Sequence, residues 1–305
     1  MAASPELQKT INMLRAGNEA AAKAGVAPSV EGVREMMATA VFTAPAPAGL
    51  RTAKVRAVTV PCEWVCAPGS DPGKRILYLH GGGYAAGNLD THRALCGDIS
   101  VASGASVLNV DDRLAPEYTA PAQFDDALLA YRWMLDNGPL GEDEASHAFV
   151  AGDSAGGGLG LAVLQGIRDA RLRAPDAAVL ISPWTDMTGS GGSMRSNADK
   201  DPMVGYGMLS WMAGMVVGDG DPADPRVSPL FGDYAGLPPM LIQVGENETL
   251  LDDSRVAADK AQAAGVDVTQ ECWPDVIHVW HALGHRVPEA TQGINRIGEY
   301  LRGRF

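Results

Sequence analysis

Val150-Ala151-Gly152-Asp153-Ser154-Ala155-Gly156-Gly157-Gly158 sets a serine between two glycines, where an apolar run gives way to a helical one. Ser146-His147-Ala148-Phe149-Val150-Ala151, just before it, is short and mostly apolar, as a buried strand is. Leu159-Gly160-Leu161-Ala162-Val163-Leu164-Gln165-Gly166-Ile167, just after, reads as a helix. A Gly-x-Ser-x-Gly turn between strand and helix strains the serine backbone, and a side chain at Gly152 or Gly156 would collide with the neighbouring strand and helix. Such a turn lifts the hydroxyl to the top of a sheet and aims the helix N-terminus at charge developing beside it. Glycine and serine are common, so the pattern alone also fits an ordinary glycine-rich turn. Its flanks are what give it weight.

Upstream, the apolar strand Arg75-Ile76-Leu77-Tyr78-Leu79 runs straight into His80-Gly81-Gly82-Gly83-Tyr84. Three consecutive glycines lose much conformational entropy on folding and pack nothing. One glycine would make a turn. Three allow bare backbone N–H groups to approach and cradle an oxyanion. A merely flexible loop is the plain alternative, and it loses ground because this loop precedes the serine elbow, the order expected if the serine is a nucleophile.

A serine nucleophile needs a base, and the base needs an orienting acid, in the chain order serine, acid, histidine. Only His278, His281 and His285 lie downstream of Ser154. His278 follows the strand-like Val266-Asp267-Val268-Thr269-Gln270-Glu271-Cys272-Trp273 and the break Pro274-Asp275, so it sits on a loop at a strand end. His281 and His285 fall at the start of a helix and read better as solvated or packing residues. For the acid, the strand Met240-Leu241-Ile242-Gln243-Val244 is followed by Gly245-Glu246-Asn247-Glu248-Thr249-Leu250-Leu251-Asp252-Asp253. Glu246, Glu248, Asp252 and Asp253 all compete there, because an acid at a helix N-terminus is often only a cap.

These segments resemble the bacterial hormone-sensitive-lipase-like carboxylesterases of the α/β-hydrolase fold. The likeness rests on His80-Gly81-Gly82-Gly83-Tyr84, Asp112-Arg113-Leu114-Ala115-Pro116-Glu117, Gly152-Asp153-Ser154-Ala155-Gly156-Gly157 and Ser182-Pro183-Trp184-Thr185-Asp186. It continues through Gly236-Leu237-Pro238-Pro239, Leu250-Leu251-Asp252-Asp253 and Trp273-Pro274-Asp275-Val276-Ile277-His278, in order over residues 50 to 300. The resemblance implies Glu248 as the acid, two residues before Leu250, where the family more often has aspartate. It implies His278 as the base. Asp112 stands where the family usually carries tyrosine, in a segment that braces the structure, so the departure bears on local packing.

Composition agrees with a globular enzyme. The 305 residues are 46% hydrophobic and 20% charged, enough for one large core and an accessory piece. The net charge of −13 is spread without long runs, which argues against nucleic acid and against anionic membrane surfaces. Met1 to Lys9 show no basic-then-apolar signal pattern and no apolar run approaches a membrane span, so a cytoplasmic protein is expected. Cys62 and Cys66 lie about 13 Å apart on one strand, too far for a disulfide. With Cys96 and Cys272 they are expected to be buried free thiols. No Cys/His cluster has zinc spacing, and His80 and His92 have no acid or cysteine at ligand spacing, so no metal and no cofactor is expected.

Strands are expected over Ala53 to Val60, Cys62 to Ala67, Ile76 to Leu79, Ala105 to Val110, Ala148 to Ala151, Ala177 to Ile181, Met240 to Val244 and Val266 to Trp273. Alternation with helices after an opening hairpin-like pair implies an α/β protein: a mostly parallel eight-stranded sheet with helices on both faces. Residues 46–188 and 225–305 make up this α/β-hydrolase core. Residues 1–45 read as two amphipathic helices, Pro5 to Ala24 and Ser29 to Ala40, and 189–224 as an insertion completing a helical cap. The insertion carries Met194, Met203, Met208, Trp211, Met212 and Met215, a stripe most often plain core; adaptable methionines also suit an irregular apolar ligand. Met208, Trp211 and Met212, with Tyr84 and Asp153, are the candidate pocket residues.

The expected chemistry is carboxylic ester hydrolysis of short-to-medium acyl chains through an acyl-enzyme. Ser154 attacks, His278 takes the proton, Glu248 orients the imidazole, and the backbone N–H groups of Gly82, Gly83 and Ala155 hold the oxyanion. Lactone or amide hydrolysis and acyl transfer use the same three residues and stay as alternatives. A non-catalytic binding protein on this fold, such as the plant hormone receptors similar to the family, would have lost the histidine that His278 supplies. The partner expected is a small-molecule ester, and the family suggests a homodimer through sheet edges.

Overall fold

The computed structural model describes residues 3–25, 27–39 and 44–305. Its framework is one eight-stranded sheet. In chain order the strands are β1 (Arg51–Ala57), β2 (Val60–Cys66), β3 (Asp71–Leu79), β4 (Ala105–Val110), a separate two-residue ladder of β5 (Asn137–Gly138) with β6 (Gly141–Glu142), β7 (His147–Asp153), β8 (Ala177–Ile181), β9 (Met240–Gly245) and β10 (Val268–Trp273). The spatial order β1-β2-β4-β3-β7-β8-β9-β10 is antiparallel at β1–β2 and β2–β4 and parallel from β4 onward. This is the mostly parallel, doubly covered sheet that the alternation implies.

Burial alternates along the central strands. On β3, Ile76 and Tyr78 join the core on one face and Leu77 and Leu79 the core on the other. The first face is covered by α3 (Leu89–Ser103) and α9 (Pro288–Arg302), through Leu95, Cys96, Ile99, Ile294, Ile297 and Leu301. The second is covered by α4 (Ala122–Asp136), α5 (Ala155–Asp169) and α8 (Leu251–Ala263), through residues such as Ala127, Leu161 and Ala258. Apolar residues on both faces are what a parallel sheet between helix layers demands, so its strands read as continuous apolar runs.

Strand ends differ from the sequence reading where turn geometry outweighs residue type. The first strand stops at Ala57 because Val58 turns the chain at φ 59°. β3 reaches back to Asp71 through polar, half-buried residues that a hydrophobic pattern does not mark.

Outside the sheet lie α1 (Pro5–Lys23), capped by Ser4, and α2 (Val30–Met37), capped by Ser29, with each serine Oγ accepting a backbone N–H of the first turn. Ala40, expected to end the second helix, is outside the described residues. Residues 189–224 carry α6 (Ser193–Ser196) and α7 (Tyr206–Val217). The C-terminal ends of β3, β7, β8, β9 and β10 open toward these pieces.

Candidate active site

β7 ends at Asp153 and α5 begins at Ala155, leaving Ser154 alone on the turn with φ 53° and ψ −121°. Backbone bonds hold it from three directions. Ser154 N–H donates to Ile181 O (2.8 Å), and Ser154 O accepts from Trp184 N–H (2.9 Å) and Gly158 N–H (3.0 Å). A strained non-glycine residue persists only when its surroundings fix it in this way. A Cβ on Gly156 would fall on the carbonyl oxygens of Leu79 and His80, and one on Gly152 on that of Gly156. The glycines at this turn are therefore a matter of space.

His278 stands on the loop after β10, buried, with Nε2 2.9 Å from Ser154 Oγ and Nδ1 2.8 Å from Glu248 Oε2. A carboxylate oxygen only accepts, so the proton of that bond sits on Nδ1 and the Nε2 lone pair faces the serine hydroxyl. Glu248, on the loop between β9 and α8, is fixed through its other oxygen, which accepts from Ser182 Oγ–H (2.8 Å) and Gly245 N–H (2.6 Å). Burial pushes the His278 pKa down. The Glu248 hydrogen bond and charge, with Asp201 and Asp153, outweigh it, and the net is raised above 6.5.

The competing acids go elsewhere. Glu246 is exposed. Asp252 Oδ2 accepts Ser193 N–H, and Asp253 Oδ1 accepts the N–H groups of Thr185 and Asp186. Neither caps α8, whose N-cap Leu250 makes no side-chain bond. His281 is buried in the short 3-10 turn Trp280–Arg286, with Nε2–H donating to Gln243 Oε1 at 2.7 Å; burial holds it neutral, its pKa lowered to about 3.

The glycine loop crosses beside the elbow with Gly82 at φ 119° and Gly83 at φ 63°. Among the described residues nothing accepts the N–H groups of Gly82, Gly83 or Ala155, whereas Gly81 N–H donates to Asp153 Oδ1 at 3.1 Å. Asp153 also accepts from Tyr78 Oη–H (2.7 Å) and lies 3.5 Å from His92 Nε2. Burial pushes its carboxyl up, but His92, Tyr78 and His80 outweigh that and the net is lowered.

Ser154 and His278 line a cavity of about 140 Å³ with Gly82, Gly83, Asp153, His92 and an apolar surround from α1, α2 and α7. Met208 and Met212, one helical turn apart, face it together with Met36, Met37 and Met203. Two candidate pocket residues do not. Tyr84, at φ 59°, turns its ring into the core against Trp184, centroids 6.2 Å apart. Trp211 lies off the Met208–Met212 arc and packs against the core edge.

Other expectations also need correction. Cys272 is an exposed thiol on the edge strand β10, not a buried one. His80 and His92 do meet carboxylates, Asp112 and Asp153, each at 3.5 Å, through folding and not through sequence spacing. Among the described residues no group of three or more His, Cys, Asp and Glu could hold a metal ion, and no helix is long and apolar enough to cross a membrane. Ser182, quoted only as part of a segment, was given no role, and Asp201 escaped the sequence reading. Asp201 is buried, accepts the N–H groups of Met203, Val204 and Thr249, and so ties the residues beside Glu248 to the cavity wall. The Ser-Pro pair after β8 was the only available signal for Ser182; nothing in the spacing marked Asp201.

Comparison with known proteins places the chain. Residues 76–282 match the family described as alpha/beta hydrolase fold. An acetyl-hydrolase of Streptomyces hygroscopicus is 43% identical over 241 residues, 79% of each chain. An ethyl acetate hydrolase of Pseudomonas putida is 32% identical over 249 residues, covering 80% of this chain and 78% of the relative. Among solved structures, an esterase from the bacterial hormone-sensitive lipase family superposes with a TM-score of 0.90 at 41% identity, over 100% of this chain and 99% of that one. The esterase EstE5 soaked with p-nitrophenyl butyrate gives 0.91 at 44%, over 99% of both.

Proposed function

The chain belongs to the alpha/beta hydrolase family, among the esterases that include the bacterial hormone-sensitive lipases, and on that premise we propose that it hydrolyses carboxylic esters of short-to-medium acyl chains through Ser154, His278 and Glu248. The carrying observation is the continuous chain Ser154 Oγ, His278 Nε2, His278 Nδ1, Glu248 Oε2, with links of 2.9 and 2.8 Å, at the floor of a cavity.

Ser154 Oγ attacks the ester carbonyl carbon while its proton passes to His278 Nε2. Glu248 keeps the imidazole in the accepting tautomer and balances the imidazolium. The oxyanion is held by N–H groups of Gly82, Gly83 and Ala155, which stand ready without reorganisation. His278 then protonates the departing alkoxide, and water, activated by the same nitrogen, releases the acid from the acyl-enzyme.

The cavity is on the order of the ~150 Å³ space that accommodates a benzene ring, which supports acyl groups of a few carbons. The names of the acetyl-hydrolase and ethyl acetate hydrolase relatives support the same range. In this reading residues 1–45 and 189–224 form the cap over the site, and 46–188 with 225–305 form the catalytic core. A fluorophosphonate ester should add to Ser154 by mass spectrometry, and Ser154→Ala should abolish both the adduct and hydrolysis of p-nitrophenyl acetate. An adduct on another residue, or rising activity beyond a dodecanoyl ester, would remove the reading.

A further inference from the structure

His80 and Asp112 are buried polar residues that the proposed hydrolysis does not use, at 5% and 6% exposure. His80 Nδ1 is 2.8 Å from the Gly81 carbonyl oxygen. A carbonyl oxygen only accepts, so this bond requires the proton on Nδ1. The opposite nitrogen, Nε2, has no hydrogen-bond partner among the described residues and faces Asp112 Oδ1 at 3.5 Å.

The Gly81 carbonyl and the Gly82 N–H belong to one planar peptide group. A donor on that carbonyl fixes the rotation of the whole plane, and with it the direction of the Gly82 N–H. It also polarises the amide, because hydrogen bonds in series strengthen one another in a low-dielectric setting. The preceding peptide is held separately, by Gly81 N–H donating to Asp153. The loop is therefore gripped on both sides of Gly81, and the grip that bears on Gly82 runs through His80.

We propose that Asp112 is a positioning residue for the oxyanion hole: a proton held between Asp112 and His80 Nε2 leaves Nδ1–H to orient and polarise the Gly81–Gly82 peptide. This rests on the reading of Gly82 as an oxyanion donor. While the couple holds two protons, as carboxylate with imidazolium or as carboxylic acid with neutral imidazole, one lies between the two residues and one on Nδ1. Burial pushes the Asp112 carboxyl up to about 6 against the opposing pull of His80, so the carboxyl retains a proton well above the range of an exposed aspartate.

Two near-isosteric variants separate the shared proton from the volume. Asp112→Asn keeps a donor toward Nε2 and should retain turnover. Asp112→Leu fills the space without one. It should lose about tenfold in kcat on p-nitrophenyl acetate, below the roughly hundredfold or more for deleting a whole oxyanion donor. Its KM should be unchanged, and the Ki of a trifluoromethyl ketone that forms an oxyanionic hemiketal with Ser154 should rise by the same factor. Its melting temperature should not fall, because a buried ionisable group has been removed. Independently of folding in either variant, the ¹⁵N spectrum of the histidine-labelled parent should show His80 Nδ1 protonated. Full kcat and Ki in Asp112→Leu, equal losses in both variants together with melting temperature, or an unprotonated Nδ1 would each overturn the proposal. If the parent fails to bind the ketone and Ser154→Ala still hydrolyses ester, the reading of the hole itself has failed. Tight binding by the parent with no change in Asp112→Leu removes only the role of Asp112.

Discussion

Two of the buried histidine–carboxylate couples, His278–Glu248 and His80–Asp112, are built differently. In His278–Glu248 the partners are 2.8 Å apart, and the carboxylate collects three donors: His278 Nδ1–H, Ser182 Oγ–H and Gly245 N–H. In His80–Asp112 the nearest approach is 3.5 Å, and burial lifts the carboxyl to about 6. The free nitrogen of each imidazole also meets a different group, a movable hydroxyl in one case and a fixed peptide carbonyl in the other. Both set an imidazole against a carboxylate. The number of donors on the carboxylate and the neighbour of the second nitrogen set the role: a saturated carboxylate holds a base in one tautomer, and a sparsely bonded one shares a proton.

Breaking the first couple should have the largest effect. Glu248→Gln removes the counter-charge and lets the imidazole adopt the wrong tautomer, a change that costs about ten-thousand-fold in kcat for such a triad. Steady-state rates on p-nitrophenyl acetate, with a melting curve showing the fold retained, check it. A collapse in Asp252→Asn in place of Glu248→Gln would assign the acid to the wrong residue. Ser182→Ala then tests the donors behind the carboxylate. A hydrogen bond to a charged group is worth about 1.5–3 kcal/mol, so kcat should drop by roughly ten- to a hundredfold, with His278 and Ser154 untouched. An unchanged kcat would mean that Gly245 N–H alone suffices.

The contrast between the couples also marks what a sequence discloses. The sheet was legible because parallel strands between two helix layers must be apolar on both faces, as Ile76 to Leu79 and Ala177 to Ile181 are. Ser154, His278 and the glycine loop were legible because each is tied to a strand end in a fixed chain order. Asp112 with His80, Asp153 with His92, and Ser182 with Glu248 were not, since the first and last pairs follow adjacent strands and the second joins a strand end to helix α3, and no periodicity records which elements adjoin. Tyr84 and Trp211 misled because an aromatic near a motif signals burial without signalling direction. A backbone at φ 59° turned Tyr84 inward.

The pH profile sharpens the first couple further. His278 acts as base only when neutral, and its pKa is raised, so activity should fall as pH drops, with a midpoint above 6.5. Asp201 is one of the charges that raise it. Asp201→Asn should therefore move that midpoint to lower pH, measured as kcat/KM against pH with p-nitrophenyl butyrate. Full activity at pH 4 in a folded sample would contradict a histidine base.

The smallest effect on turnover belongs to another buried carboxylate, one with donors but no imidazole. Asp253 Oδ1 accepts the N–H groups of Thr185 and Asp186 and faces Thr185 Oγ1, while Oδ2 has no partner among the described residues. Burial, with the Asp186 charge beside it, pushes the carboxyl to about 7. An acid raised in the folded state binds protons there that the unfolded chain has released. Its contribution to stability therefore declines as pH rises above about 4 and is at its least favourable above about 7. Asp253→Asn keeps the Oδ1 acceptor and removes the titration. It should be about as stable as the parent at pH 5 and more stable than the parent at pH 8, with turnover unchanged. Asp252→Asn, whose target Ser193 N–H lies on a less buried contact, should show a small loss at both pH values and no effect on turnover. Equal destabilisation of Asp253→Asn at pH 5 and pH 8 would mean that its carboxylate is held charged by its donors, and the distinction between saturated and sparsely bonded carboxylates would have to be redrawn.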